Sequence, residues 1–305
     1  MSKLFKVFLL ASFVVASFTA KAVTVTSWGG AYTESQQKAY ADTYSDPSSI
    51  QFENYNGGLG EVRAQVESGS VTWDIVDVLP SDAITGCDEG LFEDISSEIA
   101  ANAVPGPDGE SMLEDMENNG LEYHSGWDCC VPQIFWTYVV FFDPDAFPGD
   151  KPSSMADFFD VEKFPGKRGI HTWATGIIEK AMVADGVKPT AVPTVLAKQT
   201  GALDRAFAKL DTIKDHVVFW SSGSKPLELV KSGEVVMAIA YNGRVGAANL
   251  AEGENFEYIW EGQVLDQEYL CLMSGAPNRD AALDFMWHAS TPEAQALQSK
   301  YITYG

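Results

Sequence analysis

The sequence predicts an α/β protein in two lobes, and three observations lead there. Short β-patterned runs alternate with helical ones along the chain, as sheets covered by helices require. Several of those runs, such as Trp73–Val78 (WDIVDV) and Ile134–Phe142 (IFWTYVVFF), are nearly continuous apolar segments, the signature of buried strands. The length, 305 residues, leaves room for two lobes of ordinary size after removal of a leader.

Residues Met1 to Ala22 read as that leader, a secretory signal peptide. Lys3 and Lys6 give a basic start, Phe8–Phe18 is apolar, and Ala20-Lys21-Ala22 has the form of a cleavage site. Val23 is the expected mature N-terminus. The apolar run is short for a bilayer span and no later run reaches spanning length, so the mature chain is expected to be soluble and periplasmic.

The elements follow in order. Val23–Ser27 alternates as a first strand and breaks at Gly29-Gly30, with a polar helix from about Thr33. A strand that enters a helix through a glycine turn places backbone N–H groups at the carboxyl end of a sheet. Open α/β sheets hold small molecules there. Trp28 and Tyr32 flank this turn with two aromatic faces. Ile50–Tyr55 reads as the second strand, ended by Asn56-Gly57-Gly58 and followed by a helix over Glu61–Ser68. Trp73–Val78 stops at Pro80-Ser81. Ser81 can cap the short helix that follows, and the same hydroxyl can face a ligand.

Ala101–Glu110 is a Pro/Gly-rich loop. Ile134–Phe142 is a long buried strand and the candidate first crossing between lobes. A second series then brings a turn at Lys163–Lys167, a helix over Thr175–Asp185, a strand at Val217–Trp220 and a short helix from Ser224-Lys225-Pro226. Val235–Ala240 is a buried strand that stops at Tyr241-Asn242-Gly243-Arg244. Phe256, Tyr258 and Trp260 alternate as one strand, and Tyr269–Leu272 is a separate last one. Pro277–Ser290 is an amphipathic helix, and Thr291 caps another that ends near Tyr301.

The formal net charge is −23, and loss of the leader's three lysines makes it more negative. So acidic a surface argues against nucleic acid and anionic membranes as partners. It concentrates cations, although solubility alone accounts for it equally well. The four cysteines, Cys87, Cys129, Cys130 and Cys271, have no C-x-x-C spacing, and His124 lacks a second ligand pair, so no metal site is expected. Export permits disulfides. Adjacent Cys129 and Cys130 can hardly both pair with Cys87, so at most one bridge is expected there, to one or the other.

Several segments together resemble a known family. They are Trp28-Gly29-Gly30, Asn56-Gly57-Gly58, Trp73-Asp74-Ile75-Val76, Cys87-Asp88-Glu89-Gly90-Leu91 and Phe164-Pro165-Gly166-Lys167-Arg168. Ala184-Asp185-Gly186-Val187, Tyr241-Asn242-Gly243-Arg244, Ser274-Gly275-Ala276-Pro277-Asn278 and Tyr304-Gly305 continue the series in the same order. The mature chain thereby resembles the spermidine/putrescine-type substrate-binding proteins of bacterial ABC importers. The resemblance implies a two-lobe periplasmic-binding-protein clamshell of type II, a ligand held between the lobes, no cofactor and no covalent chemistry. It implies a monomer that hands a small amine to permease subunits in the inner membrane. It divides the chain into residues 23–132 with 267–305 and residues 133–266, with crossings near Val131–Trp136 and Asp266. The family continues beyond the position of Tyr304-Gly305, so a missing C-terminal segment is expected.

A polyamine needs aromatic faces along its methylenes and carboxylates at its ammonium ends. Positions carried over from the family are Trp28, Ser81, Tyr241, Glu268 and Tyr304. Trp173 and Asp266 complete the expected ligand-binding set, and both sit where this chain departs from the family: Asp266 replaces a frequent aromatic, and no acidic residue follows Trp173 before Glu179. Trp136, Trp220 and Trp260 are expected in the core. Arg244 suits a carboxylate rather than an ammonium, and the Gly29-Gly30 turn suits the same anion. The alternative solute is therefore a zwitterion, amino-acid-like or opine-like. A ferric-ion site is disfavoured because Tyr301 and Tyr304 are not adjacent. An exported hydrolase is disfavoured because neither G-x-S-x-G nor H-E-x-x-H occurs.

Overall fold

The computed structural model describes residues 22–102 and 128–304. The expected leader, the Pro/Gly-rich loop beyond Asn102, His124 and Gly305 lie outside the described residues. Among the described residues, no helix is long and apolar enough to cross a membrane.

Eight strands join in one mixed sheet: β1 (Val23–Ser27), β2 (Ile50–Asn54), β3 (Ile75–Val78), β4 (Cys130–Phe142), β5 (Arg168–His171), β6 (Val217–Trp220), β7 (Met237–Tyr241) and β8 (Glu257–Leu272). Their order is β2-β1-β3-β8-β4-β7-β5-β6. The outer strands run parallel within each side, β1 with β2 and β3, and β5 with β6 and β7. The two long central strands, β4 and β8, pair antiparallel with each other and with their flanking neighbours.

The apolar side chains fall into separate clusters along that ribbon. Ile75, Val131, Leu270 and Phe285 pack on the β1 side, with Val76, Tyr269 and Cys271 on its other face. Val140, Phe141, Ile239 and Ile259 pack on the β7 side. This is a two-lobe α/β clamshell with β4 and β8 running through both lobes. Ile302 and Tyr304 join the β7-side cluster although the chain reaches them from the β1 side.

Register is lost between Pro132 and Phe135 of β4, where three steps oppose the two from Tyr269 to Gln267 of β8. Pro132 has no N–H for a ladder, which favours a bulge here. The extra residues, Gln133 and Ile134, lie opposite Glu268.

Some elements differ from the sequence expectation. Phe256–Leu272 was expected as two strands; it is almost wholly one, β8, because the pairing with β4 carries the chain through the polar stretch Glu261–Glu268. Strand β5, RGIH, carries polar residues at both ends and follows directly on the turn expected at Lys163–Lys167, where the sequence pattern predicted no strand. Arg168 is buried at its start and donates to the carbonyls of Phe158, Asp160, Phe164 and Gly166, which explains the Phe164–Arg168 segment as a loop wrapped around a guanidinium. The helix after β3 starts at Pro80 with Leu79 as its cap, so Ser81 lies inside the first turn, exposed, and caps nothing.

Two disulfides occur: Cys87–Cys129 and Cys130–Cys271. The second was not expected; Cys130 and Cys271 face each other across β4 and β8. Loops of 42 and 141 residues place the chain-entropy contributions at about 4 and about 5 kcal/mol. Both bridges lie in the β1-side lobe.

Candidate functional site

The first glycine turn ends against the opposite lobe. Gly29 and Gly30 have φ of 72° and 58°, a region that favours glycine, and the turn swings the Trp28 ring out of the sheet. Helix Gly30–Gln36 leaves it three residues earlier than expected. Trp28 meets Tyr55 at a centroid distance of 5.1 Å and Trp173, from the other lobe, at 6.2 Å. Gly57 keeps this contact open, since a Cβ there would lie 2.5 Å from the Trp28 ring.

From the other lobe, β7 ends at Tyr241 and the chain turns directly into helix Asn242–Ala247, which the sequence pattern had shown only as a strand end. Tyr241 packs edge-on against Trp136 at 5.1 Å. His171, the last residue of β5, lies between Trp173 and Trp220 at 4.4 and 4.3 Å. Burial pushes its pKa down to about 4, so the ring is neutral, and its Nδ1 accepts from the Trp173 backbone N–H.

Of these groups Trp28, Tyr55, Trp136, His171, Trp173 and Tyr241 line one cavity between the lobes, together with Tyr304, Arg244 and Glu268. A recess of about 240 Å³ on the glycine side shares Trp28, Tyr55, Asn56 and Arg244 with it. Asp266 borders an adjoining pocket behind Trp136, Trp173 and Tyr241. Of the expected site residues, Trp28, Trp173, Tyr241, Glu268, Tyr304 and Arg244 converge on the cavity, and Asp266 is one wall away. Ser81 lines none of these spaces. Of the three tryptophans expected in the core, Trp136 also lines the cavity, Trp260 is half exposed at 51%, and Trp220 alone stays wholly in the core.

Arg244 marks one end. It is 5% exposed, and its guanidinium donates across the cleft from Nη1 to the Gly29 carbonyl at 2.9 Å and from Nη2 to the Trp28 carbonyl at 3.1 Å. No carboxylate pairs with it among the described residues, and Nε is buried without a partner. The glycine turn therefore offers carbonyls to a cation, and the Gly29 N–H is consumed by Thr33 Oγ1 at 2.8 Å. This corrects the expectation that Gly29 donates to an anion; Gly30 contributes space, with a Cβ there reaching 3.0 Å from Nη1. Anion recognition falls to Arg244.

Glu268 marks the other end. It projects at the β4 bulge, is 6% exposed, and leaves Oε2 without a hydrogen-bond partner. Burial pushes its pKa up, and the charges of Asp77 and Asp266 push it further. Asp77, on β3, is fully buried and was missed in the sequence, where WDIVDV reads as an apolar run. Burial raises its pKa too, against a hydrogen bond from Gln36 Nε2 to Oδ2 at 2.6 Å. Burial lifts Asp266 to about 6. Among the described residues no group of three His, Cys, Asp or Glu side chains is placed to hold a metal ion.

What the geometry offers is an aromatic box whose wall carries one guanidinium, Arg244, and one carboxyl group, Glu268. Residues 24–305 match the family described as bacterial extracellular solute-binding protein. The chain is 36% identical over 301 residues to the gamma-aminobutyric acid-binding protein of Pseudomonas aeruginosa, covering 97% of this chain and 80% of that one. It superposes with a TM-score of 0.76 on the periplasmic binding protein MotA of A. tumefaciens B6 in complex with glucopine, at 30% identity over 93% of this chain and 83% of that one. The binding protein AgtB of A. tumefaciens R10 in complex with agropinic acid gives 0.76 at 28% identity, over 94% and 83%. The spermidine/putrescine protein PotD of Streptococcus pneumoniae, at 15% identity and 0.65 over 92% and 81%, shares the fold alone. The chain belongs to the bacterial extracellular solute-binding proteins.

Proposed function

We propose that this protein captures a small zwitterion, of amino-acid or opine type, between its lobes and delivers it to a membrane permease of an ABC importer. The observation that carries the proposal is Arg244: a buried guanidinium with no carboxylate partner among the described residues, in the same cavity as the Glu268 carboxyl. A ligand carboxylate at Arg244 and an ammonium in the Trp28–Trp173–Tyr241 box near Glu268 satisfy both ends. The relatives named for gamma-aminobutyric acid, glucopine and agropinic acid support the same solute class.

A polyamine, the first expectation from sequence, fits less well. Its second ammonium would face Arg244, a like charge at low dielectric. The lobes are proposed as residues 23–132 with 267–305 and 133–266, with Ile302 and Tyr304 packing across the division. Export by the N-terminal leader and action as a monomer complete the proposal.

The test is a calorimetric and thermal-shift panel of gamma-aminobutyric acid, α-amino acids, opines, putrescine and spermidine. Saturable binding of at least one zwitterion, with no shift from either polyamine, is the expected result. Binding of polyamines alone sinks the proposal.

A further inference from the structure

Asp77 Oδ1 and Glu268 Oε2 are both buried, and neither has a hydrogen-bond donor. On the paired strands β3 and β8, Asp77 lies opposite Leu270, so Glu268, two residues along, shares its face as a diagonal neighbour, and the charge of Asp77 acts on Glu268 directly. Two carboxylate oxygens facing each other without a donor would be repulsive and unsatisfied, and one proton between them satisfies both.

The surroundings leave that proton in place. Asp77 Oδ2 accepts from Gln36 Nε2 at 2.6 Å and from the Ser27 hydroxyl at 3.3 Å, which leaves Oδ1 as the oxygen without a donor. The tyrosines around Glu268 stay neutral: Tyr32 from the same helix, Tyr55 after β2, Tyr241 from β7 and Tyr304 from the C-terminal tail are all raised by burial. His171 from β5 is neutral as well. The remaining charges are Asp266, on Glu268's own strand, which opposes a second negative charge, and Arg244, which lines the same cavity.

We propose that Asp77 and Glu268 act as a single acid holding one proton and one negative charge, so that Asp77, which does not line the cavity, is a specificity-determining residue. The pair's single charge balances the single charge of Arg244, and the cavity is then matched to a solute with one ammonium and one carboxylate. A second ammonium would require the pair to lose its proton to solvent. This rests on the zwitterion proposal for its ligand but not for its proton, which the pair would hold with or without a ligand.

The pair makes an unusual prediction about substitutions. In Asp77→Asn, Glu268 loses the neighbouring charge that holds it protonated and ionises in its place; in Glu268→Gln, Asp77 keeps the charge. Each single variant therefore retains one negative charge, and only the double variant loses it. With the tightest zwitterion of the panel as probe, each single variant is expected to weaken binding about tenfold, and the double variant more than about a thousandfold, well beyond the product of the singles. Additive losses overturn the shared charge.

A second measurement needs no ligand. Infrared spectra of the ligand-free protein near neutral pH, with the acidic side chains isotope-labelled, should show a protonated-carboxyl band that both single variants lose. Absence of that band in the wild type overturns the proposal even if a zwitterion binds. Its presence upholds the pair even if none does, so the two proposals fail separately.

Discussion

The two ends of the cavity are built on opposite principles. At Arg244 the charge is permanent, and the protein fixes its position: two carbonyls of the opposite lobe hold the guanidinium, and Gly223 and Gly30 leave the space it occupies. At Glu268 the position is fixed by a strand bulge, and the charge is adjustable, because burial and neighbouring carboxyls set how many protons remain. On the zwitterion proposal, selectivity for the carboxylate would come from geometry, and selectivity for the ammonium from protonation.

Substitutions at the two ends should separate these principles. Among single substitutions, Arg244→Gln is expected to have the largest effect, a loss of about 100-fold or more in affinity for the zwitterion, since it removes the permanent charge. Arg244→Lys should recover only part of it, because an ammonium cannot span both carbonyls; full recovery by Lys, measured by calorimetry, would show that charge alone matters at this end. Trp173→Ala, on the aromatic box, should cost about tenfold through lost cation–π attraction. Equal losses for an ammonium-bearing ligand and a neutral analogue would break that assignment. Tyr304→Phe keeps the ring against Tyr32 at 5.5 Å and should cost only about threefold.

The smallest effect concerns stability. Asp266 is raised from 3.8 to about 6 by burial, so its contribution to folding is fully present below its unfolded value and lost as pH rises through about 6. Melting temperatures of Asp266→Asn and the wild type should therefore diverge between about pH 4 and about pH 7, with the variant declining less. Parallel curves would place Asp266 in solvent.

Much of the fold was legible because buried strands and glycine turns write themselves into composition. β6 has the bounds its pattern predicted, and the helix after Gly58 differs by one residue. The long strand β8 was not legible as one element, since its middle is held by pairing with β4 and not by its own alternation. Within the candidate site, Trp28 stood out because a tryptophan beside two glycines has little core to enter. Arg244 stood out as a cation after a strand end. Asp77 was overlooked because a carboxylate inside an apolar run looks like an interruption, although a buried charge without a partner is costly enough to demand one. Trp136 was assigned to the core because its run is nearly all apolar; it lies next to the register break at Pro132–Phe135 and lines the cavity, and a bulge leaves little trace in a sequence.

A hydrogen-bonded ribbon resists stretching and shear but yields to twist where its register is broken. With β4 and β8 passing through both lobes, the ribbon has two such points, between Pro132 and Phe135 and between Tyr138 and Val140, and the first lies opposite Glu268. On the zwitterion proposal, an ammonium recruited at Glu268 would therefore be held beside a place where the two lobes are most easily turned against each other.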